Sequence, residues 1–259
     1  MQWADRLAAD ALKALEPRLK GGKTLIIRDE KTASGRVHVG SLRSAAMHGI
    51  VGEILTERGV PHTFYFEIND FDPMDGLPTY LDKKVYKPFM GKPLYSIPSP
   101  DGKAKNFAEY FGNEYVGVIR ELGFFPEVYR ASELYLSGKM NEVIRLALER
   151  AERVRRIYKE VSGSIRPDNW FPLSVICELC GKVGTTTVNA FDGEKVSYVC
   201  EPTKVEWAVG CGHAGSVSPF GGRAKLPWKV EWAAKFKVMS VLFEGAGKDH
   251  YTRGGSRQV

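Results

Sequence analysis

Residues 32–43, reading TASGRVHVGSLR, constrain the fold more than any other part of this 259-residue chain. They follow a short apolar run over residues 24–27. From Leu42 to Ile54, apolar residues then recur every four positions. The pattern predicts a strand over 24–28, a tight turn, and a helix over 38–58.

Small residues in this turn allow a ligand to approach the backbone. Ser34 and Gly35 favour a close turn, and Gly40 and Ser41 lie where the helix starts, so that unpaired N–H groups there form a site for phosphate. His38 lies in the same turn. The alternative is an ordinary strand-to-helix turn with a capping serine and a surface histidine.

A second strand is predicted at residues 62–69, HTFYFEIN, from its aromatic and β-branched content. A strand–helix–strand unit of this size implies a parallel pair with a right-handed crossover. Ligands on such sheets bind beyond the carboxyl ends of the strands. We therefore expect the 32–43 turn to lie beside the acids that follow the second strand, Asp70, Asp72 and Asp75.

The remaining segments complete an α/β chain with three parts: 1–170, 171–228 and 229–259. The expected elements are an amphipathic helix at the start, a loop or insertion over 78–103, a helix over 106–123, a strand over 127–131, a long helix over 140–161, a separate unit over 171–228, and a return to the main sheet over 229–244. With 43% hydrophobic residues, the chain can bury a sizeable core in one or two domains.

Composition limits where the protein is expected to be located and what it is expected to bind. The chain lacks an apolar run of membrane-spanning length, and its start carries Asp5 and Asp10 rather than a signal peptide, so we expect a soluble, cytoplasmic protein without membrane contact. The net charge of +6 is compatible with a polyanionic partner, although many proteins with such a charge bind none.

All four cysteines lie in one C-terminal cluster, which in a chain without an export signal indicates metal rather than disulfides. Cys177-x-x-Cys180-Gly predicts a zinc knuckle, and Cys200 and Cys211 complete a closed, structural Zn²⁺ site. His213 competes with Cys211 as the fourth ligand; four thiolates are favoured because they use every cysteine. Buried cysteines without a metal are the alternative.

Two common nucleotide-binding loops are excluded. A phosphate-binding Walker loop ending at residues 22–24 requires glycine at position 17, where this chain has Pro17. The glycines at 245–247 lack the third glycine of a dinucleotide fingerprint. A turn that combines a histidine with small residues remains.

The string TASGRVHVGSLR resembles the first signature of class I aminoacyl-tRNA synthetases and is most similar to that of class I lysyl-tRNA synthetases. Further strings follow in the order typical of that family: EVYRASELYLSGK, RIYKEVSG, CELCGK with GCGHAG, KLPWKVEWAAKF, and FEGAGKDHYTRGGS. The resemblance implies a Rossmann-like nucleotide-binding catalytic domain with a small zinc-binding insertion. It also implies a lysine–tRNA ligase that activates lysine with ATP and Mg²⁺ and transfers it to tRNA(Lys).

The resemblance assigns roles to the turn and to a C-terminal loop. His38 would contact the phosphate oxygens, and Ser41 replaces the final histidine of the family signature. The implied ATP- and adenylate-binding residues are Ala33, Ser34, Gly35, His38, Gly40, Gly247, Asp249, His250 and Gly254. Without the resemblance, the C-terminal glycines would be read as a flexible terminus.

The lysine ammonium requires a carboxylate or an aromatic face. The candidates are Asp70, Asp72, Glu231 and Trp228, and each is alternatively a solvated acid or a packing aromatic. Residues 237–240, KVMS, are not interpreted as the lysine-bearing second signature, because they precede the nucleotide loop and have the pattern of a buried strand.

Three further expectations concern the whole enzyme. The arginine-rich segment 145–159 is interpreted as a solvated helix face, with contact to the tRNA acceptor end as the alternative. The chain is expected to be truncated before the second signature and the anticodon-binding region, and so to bind nucleotide weakly and to charge tRNA poorly. A class I synthetase for glutamate and a non-catalytic, zinc-containing RNA-binding module are the alternative functions.

Overall fold

The structure is a computed structural model that describes residues 2–247. Its α-helices are α1 (Trp3–Leu19), α2 (Val39–Glu57), α3 (Lys83–Tyr86), α4 (Phe107–Glu121), α5 (Ala131–Leu136), α6 (Asn141–Glu149), α7 (Ala151–Ser162) and α8 (Trp228–Val238). Its strands are β1 (Leu25–Thr32), β2 (His62–Asn69), β3 (Glu127–Arg130), β4 (Ser174–Val175), β5 (Thr186–Phe191), β6 (Val196–Cys200), β7 (Ala214–Val217) and β8 (Ala224–Lys225). The mixed α/β class predicted from the sequence is confirmed.

A parallel sheet in the order β1-β2-β3 carries the first half of the chain. The ends of β1 and β2 lie side by side, with Thr32 opposite Asn69. On the other side of β1, Phe243 forms an isolated parallel bridge with Ile27. The sheet therefore brings the turn after β1, the acids after β2 and the segment around 243–247 to one edge.

Apolar packing against this sheet fixes the helices. Leu25 of β1 packs with Val51 and Leu55 of α2, and Phe66 of β2 packs with Phe111 of α4, all of them buried. Burial of such side chains contributes about 1.5–3 kcal/mol each. The start of α2 is consequently held at the carboxyl edge of the sheet.

The cysteines belong to an antiparallel part of the chain, with sheets β5-β6-β7 and β4-β8. Val188 and Tyr198 of this part share a core with Tyr135 of α5 and Ile144 of α6. The proposed division at residues 170 and 228 stays a prediction, although this shared core runs across it.

The expected single helix over 140–161 is wrong. α6 ends at Glu149 and α7 begins at Ala151, because Arg150, with φ −107° and ψ 22°, departs from helical geometry. The change in direction lets α6 bury Ala147 and Leu148 while α7 buries Ala151 and Tyr158. The segment has no glycine or proline to indicate the break.

Two other segments also differ from expectation. Residues 237 and 238 end α8 rather than form a buried strand, and Ser240 turns the chain with φ +53°. The 229–244 segment returns to the main sheet through Leu242 and Phe243, whose backbones hydrogen-bond β1 without forming a strand. The expected loop at 78–103 contains α3 and two 3₁₀ turns, Lys87–Phe89 and Leu94–Ser96, because apolar side chains there are buried. Within residues 2–247, none of the helices is long and apolar enough to cross a membrane.

Candidate active site

Two neighbouring clefts open at the carboxyl edge of the parallel sheet. The acidic cleft, about 630 Å³, is lined by residues that include Thr32, Asn69 and Asp72. The loop cleft, about 790 Å³, has Ser41 on one wall and residues 245–247 on another. Glu30 and Trp228 line both clefts. Two ligands occupying these clefts would therefore meet beside Glu30.

The turn before α2 is closed by reciprocal hydrogen bonds between His38 and Ser41. The Ser41 N–H donates to Nδ1 of His38 at 3.3 Å, and Ser41 Oγ donates to the His38 carbonyl at 2.7 Å. A Cβ on Gly40 would lie 3.2 Å from His38 Nδ1, so glycine allows the imidazole to fold over the turn. Gly40 and Ser41 line the loop cleft, whereas His38 is exposed beside it.

Tyr80 fixes the first half of the same turn. Its hydroxyl accepts a hydrogen bond from the Arg36 N–H at 2.7 Å and would lie 2.8 Å from a Cβ on Gly35. A side chain at position 35 would therefore collide with the tyrosine. Ala33 is buried and Ser34 lines the acidic cleft.

A buried charge network lies beneath both clefts. Arg28, fully buried, donates to Glu67 at 2.9 Å and to Glu244 at 2.8 Å, and it also contacts Glu30. Lys235, also fully buried, pairs with Glu67. Although burial favours the neutral acid, the adjacent cations Lys235 and Arg28 hold the pKa of Glu30 at about 2.

The network continues into the acidic cleft. Lys235 approaches Glu231 at 3.1 Å, and Lys225 bridges Glu231 at 2.8 Å and Asp72 at 2.9 Å. Asp72 also accepts from the Thr32 hydroxyl at 2.7 Å. Every charged side chain of the network therefore has a partner of opposite charge.

The network carries more negative than positive charge. Five carboxylates (Glu30, Glu67, Asp72, Glu231 and Glu244) contact three cations (Arg28, Lys225 and Lys235). Of these five acids, Glu30, at 28% exposed, and Asp72, at 22%, are the ones that reach solvent, whereas Glu244 is only 5% exposed. The excess negative charge therefore faces the acidic cleft, where it attracts a cation.

Each cleft also has an unsatisfied acceptor. Asn69 Oδ1 and Asp29 Oδ2 are, within residues 2–247, the buried side-chain atoms without a hydrogen-bond partner. Asn69 lines the acidic cleft and Asp29 the loop cleft. Because an unpaired buried acceptor costs free energy, a donor on a ligand would be favoured beside Asn69, whereas Asp29 Oδ2 lies 3.6 Å from Nδ1 of His48.

The four cysteine sulfurs form a compact cluster. All lie within 4.8 Å of one another, with Cys177 to Cys211 at 3.6 Å and Cys180 to Cys200 at 3.7 Å. A tetrahedral Zn²⁺ with Zn–S bonds of about 2.3 Å requires sulfurs about 3.8 Å apart, so these residues fit the ion. The Cys211 N–H also donates to the Cys200 sulfur, as is typical of thiolate sites. His213 lies outside the cluster and packs edge-on to Tyr198.

A family model described as tRNA synthetases class I (K) matches residues 1–259. The chain belongs to this family. The lysine–tRNA ligase of Methanosarcina barkeri (strain Fusaro) is 37% identical over 99% of this chain and 45% of the relative. The lysine–tRNA ligases of Methanocaldococcus jannaschii and Archaeoglobus fulgidus are 35% and 33% identical over 99% of the chain. The chain spans 45–48% of the length of these relatives.

In this class I (K) synthetase chain, the four candidate lysine-binding residues lie in different surroundings. Asp72 and Trp228 line the acidic cleft, and Glu231 lies beneath it, 1% exposed and paired with two lysines. Asp70 instead receives the N–H and hydroxyl of Ser132 at 2.8 and 2.6 Å, so both of its oxygens stabilise the start of α5.

The candidate nucleotide-binding residues are only partly described. Gly247 lines the loop cleft opposite Gly40, whereas Asp249, His250 and Gly254 lie outside the described residues. The arginines of α7 include the exposed Arg156, which approaches Glu160 at 3.9 Å. Contact between this helix and tRNA stays a prediction.

Sequence reasoning missed several residues of the candidate site, among them Glu30, Asn69, Lys225 and Trp207, which all line the acidic cleft. Glu30 and Asn69 could have been identified from the sequence, since each is a polar residue close to the carboxyl end of a strand in the parallel sheet. Lys225 and Trp207 had none, because they come from the cysteine-bearing part of the chain.

Proposed function

We propose that the chain is the catalytic part of a lysine–tRNA ligase, which converts lysine and ATP to lysyl-adenylate and pyrophosphate and then transfers the lysyl group to tRNA(Lys), releasing AMP. Lysine would occupy the acidic cleft and ATP the loop cleft. The observation that carries the proposal is the excess negative charge at Glu30 and Asp72, beside a cleft that shares Glu30 with its neighbour.

The side-chain ammonium of lysine would lie against Asp72 and Glu30. It would also supply the donor that Asn69 Oδ1 lacks. Charge-assisted hydrogen bonds of this kind contribute about 1.5–3 kcal/mol each. A glutamate side chain would instead meet like charge, which disfavours the alternative of a glutamate synthetase.

The lysine carboxylate would meet the α-phosphorus of ATP near the junction of the clefts. Binding both substrates side by side reduces the entropic cost of the reaction. His38 and Ser41 are proposed to contact the phosphates, and Ala33, Ser34, Gly35, Gly40 and Gly247 to border the adenylate. Mg²⁺, when bound with ATP, neutralises phosphate charge.

The four cysteines are proposed to hold a structural Zn²⁺, since four sulfurs leave no open position for chemistry. The proposed partners are lysine, ATP and tRNA(Lys), and the proposed location is the cytoplasm. Asp249, His250 and Gly254 keep their proposed roles at the nucleotide.

Binding of non-hydrolysable aminoacyl-adenylate analogues to the 259-residue chain tests this proposal. Calorimetry should give tighter binding for the lysyl analogue than for the glutamyl and arginyl analogues. Asp72→Asn and Glu30→Gln should each weaken the lysyl analogue about tenfold or more, as expected for loss of one charge-assisted contact. Glu142→Gln is the control, because Glu142 is 80% exposed and pairs with the exposed Lys237, away from both clefts. Equal affinity for the three analogues would refute the assignment to lysine.

A further inference from the structure

His48 is a fully buried histidine of α2 that the proposed chemistry does not use. Its Nδ1 lies 2.8 Å from the Ser44 carbonyl oxygen, one helical turn earlier. Its Nε2 lies 2.7 Å from the N–H of Gly245, 197 residues later in the chain. The imidazole thus links α2 to the first residue of the loop at 245–247.

The two partners fix the state of the ring. A carbonyl only accepts, so the proton is on Nδ1; a backbone N–H only donates, so Nε2 is unprotonated. Asp29 Oδ2, 3.6 Å from Nδ1, favours the same tautomer. Burial lowers the pKa of His48, which agrees with a neutral ring. The rings of Phe64 and Phe243 pack beside it and restrict its orientation.

Gly245 is seated directly on α2. A Cβ at this position would lie 2.0 Å from Cε of Met47, so only glycine allows the backbone to come this close without movement of the methionine. The preceding residue, Glu244, is held separately by Trp232 Nε1 at 2.7 Å and by Arg28. The entry to the loop is therefore fixed at two consecutive residues.

We propose that His48 is a positioning residue whose neutral imidazole holds the Gly245–Gly247 loop in place as a wall of the loop cleft. This inference rests on the proposed function for one consequence only: that an ordered loop strengthens ATP binding. Loss of the Nε2 acceptor would leave the Gly245 N–H unpaired and free the loop from α2. ATP would then bind to a loop that it must first order.

Two amide substitutions test the hydrogen bonds of the two ring nitrogens one at a time. In His48→Gln, the Oε1 atom can take the place of Nε2 and accept from Gly245. In His48→Asn, the Nδ2 atom can take the place of Nδ1 and donate to Ser44, but the shorter side chain cannot reach Gly245. His62→Asn is the control, because His62 also contacts a backbone carbonyl, that of Val60 at 3.1 Å, but lies at the start of β2.

Two measurements are made on the zinc-loaded 259-residue chain. The first is hydrogen exchange over residues 242–247, and the second is ATP affinity, which is followed by tryptophan fluorescence. We expect His48→Asn to speed exchange at the Gly245 amide and to raise the ATP Kd about tenfold, and His48→Gln to stay within about threefold of the wild type. His62→Asn should leave both measurements unchanged.

Equal exchange at Gly245 in the wild type and His48→Asn would overturn the inference. Absence of ATP binding by the wild type would refute the proposed function, while the exchange measurement would still test the link between His48 and the loop. If neither variant folds, ¹⁵N NMR of the wild-type imidazole decides: an unprotonated Nε2 supports the inference, and a protonated Nε2 overturns it.

Discussion

Replacement of Lys235 by methionine tests the buried charge network most directly. Lys235 is fully buried and contacts Glu67, Glu231 and Glu30. Methionine keeps much of the side-chain length but removes the charge, so five carboxylates would remain with two cations. Removing one partner of a buried ion pair lowers the free energy of unfolding by about 3–5 kcal/mol, because the other charge is left uncompensated.

This loss is a large part of the stability of an ordinary domain, which is about 5–15 kcal/mol. At about 2–4 °C per kcal/mol for a chain of this size, the melting temperature of Lys235→Met should fall by about 6–20 °C. Urea unfolding of the zinc-loaded chain, followed by tryptophan fluorescence, measures the change in the free energy of unfolding.

The effect should also depend on pH. In the wild type, burial alone would raise the pKa of Glu67. The adjacent cations Lys235 and Arg28 lower it by more, so the pKa of Glu67 lies below its usual value and the acid is ionised. Without Lys235, burial should raise the pKa of Glu67 and Glu231, and protonation would then relieve the unpaired charge. The destabilisation should consequently be greater at pH 8 than at pH 5.

Lys237→Met provides a matched control on the same helix. Lys237 is 60% exposed and pairs with the exposed Glu142, so its loss should change the free energy of unfolding by at most about 1 kcal/mol. Equal losses in the two variants, or a loss for Lys235→Met that does not change with pH, would refute the reasoning from buried charge.

Two further predictions concern the metal and a buried acid. Chelation of zinc should lower the melting temperature. By elemental analysis, Cys200→Ser should reduce bound zinc, whereas His213→Ala should keep one zinc per chain. Loss of zinc in His213→Ala would contradict the four-cysteine site. Burial raises the pKa of Asp29 to about 7, so the folded state holds this proton more tightly than the unfolded state, and the contribution of Asp29 to stability falls as pH rises from about 4 to 7. Asp29→Asn should reduce that fall, measured as the difference between the two stability curves; parallel curves would show that Asp29 does not titrate in this range.

The sequence predicted the parallel sheet and the position of the 32–43 turn because these depend on local signals. The apolar run of β1, the four-residue periodicity of α2 and the composition of β2 each specify their own element. The zinc spacing is equally local at Cys177 and Cys180. The break at Arg150 could not be predicted, since it depends on which faces of α6 and α7 reach the core.

The charge network was not predicted for a different reason. Arg28, Glu67 and Lys235 occur in a strand or helix whose sequence pattern does not distinguish a buried ion pair from a solvated one. Only the packing of α8 against the sheet brings Lys235 to Glu67, 168 residues apart. Residues such as these, charged yet fully buried, violate the usual inside–outside pattern, as is expected at functional or strained sites.

α8 gives this network a role in both clefts. Trp228, at its start, lines both clefts; Glu231 and Lys235 lie beneath the acidic cleft; and Trp232 holds Glu244 at the entry to the loop. One rigid helix thus contacts the walls of both clefts. Because Arg28 pairs with both Glu67 and Glu244, a cation that draws Glu30 toward the acidic cleft would leave Arg28 to the other two acids. Stronger pairing of Arg28 with Glu244 would stabilise the entry to the 245–247 loop, and binding in the acidic cleft would then favour binding in the loop cleft.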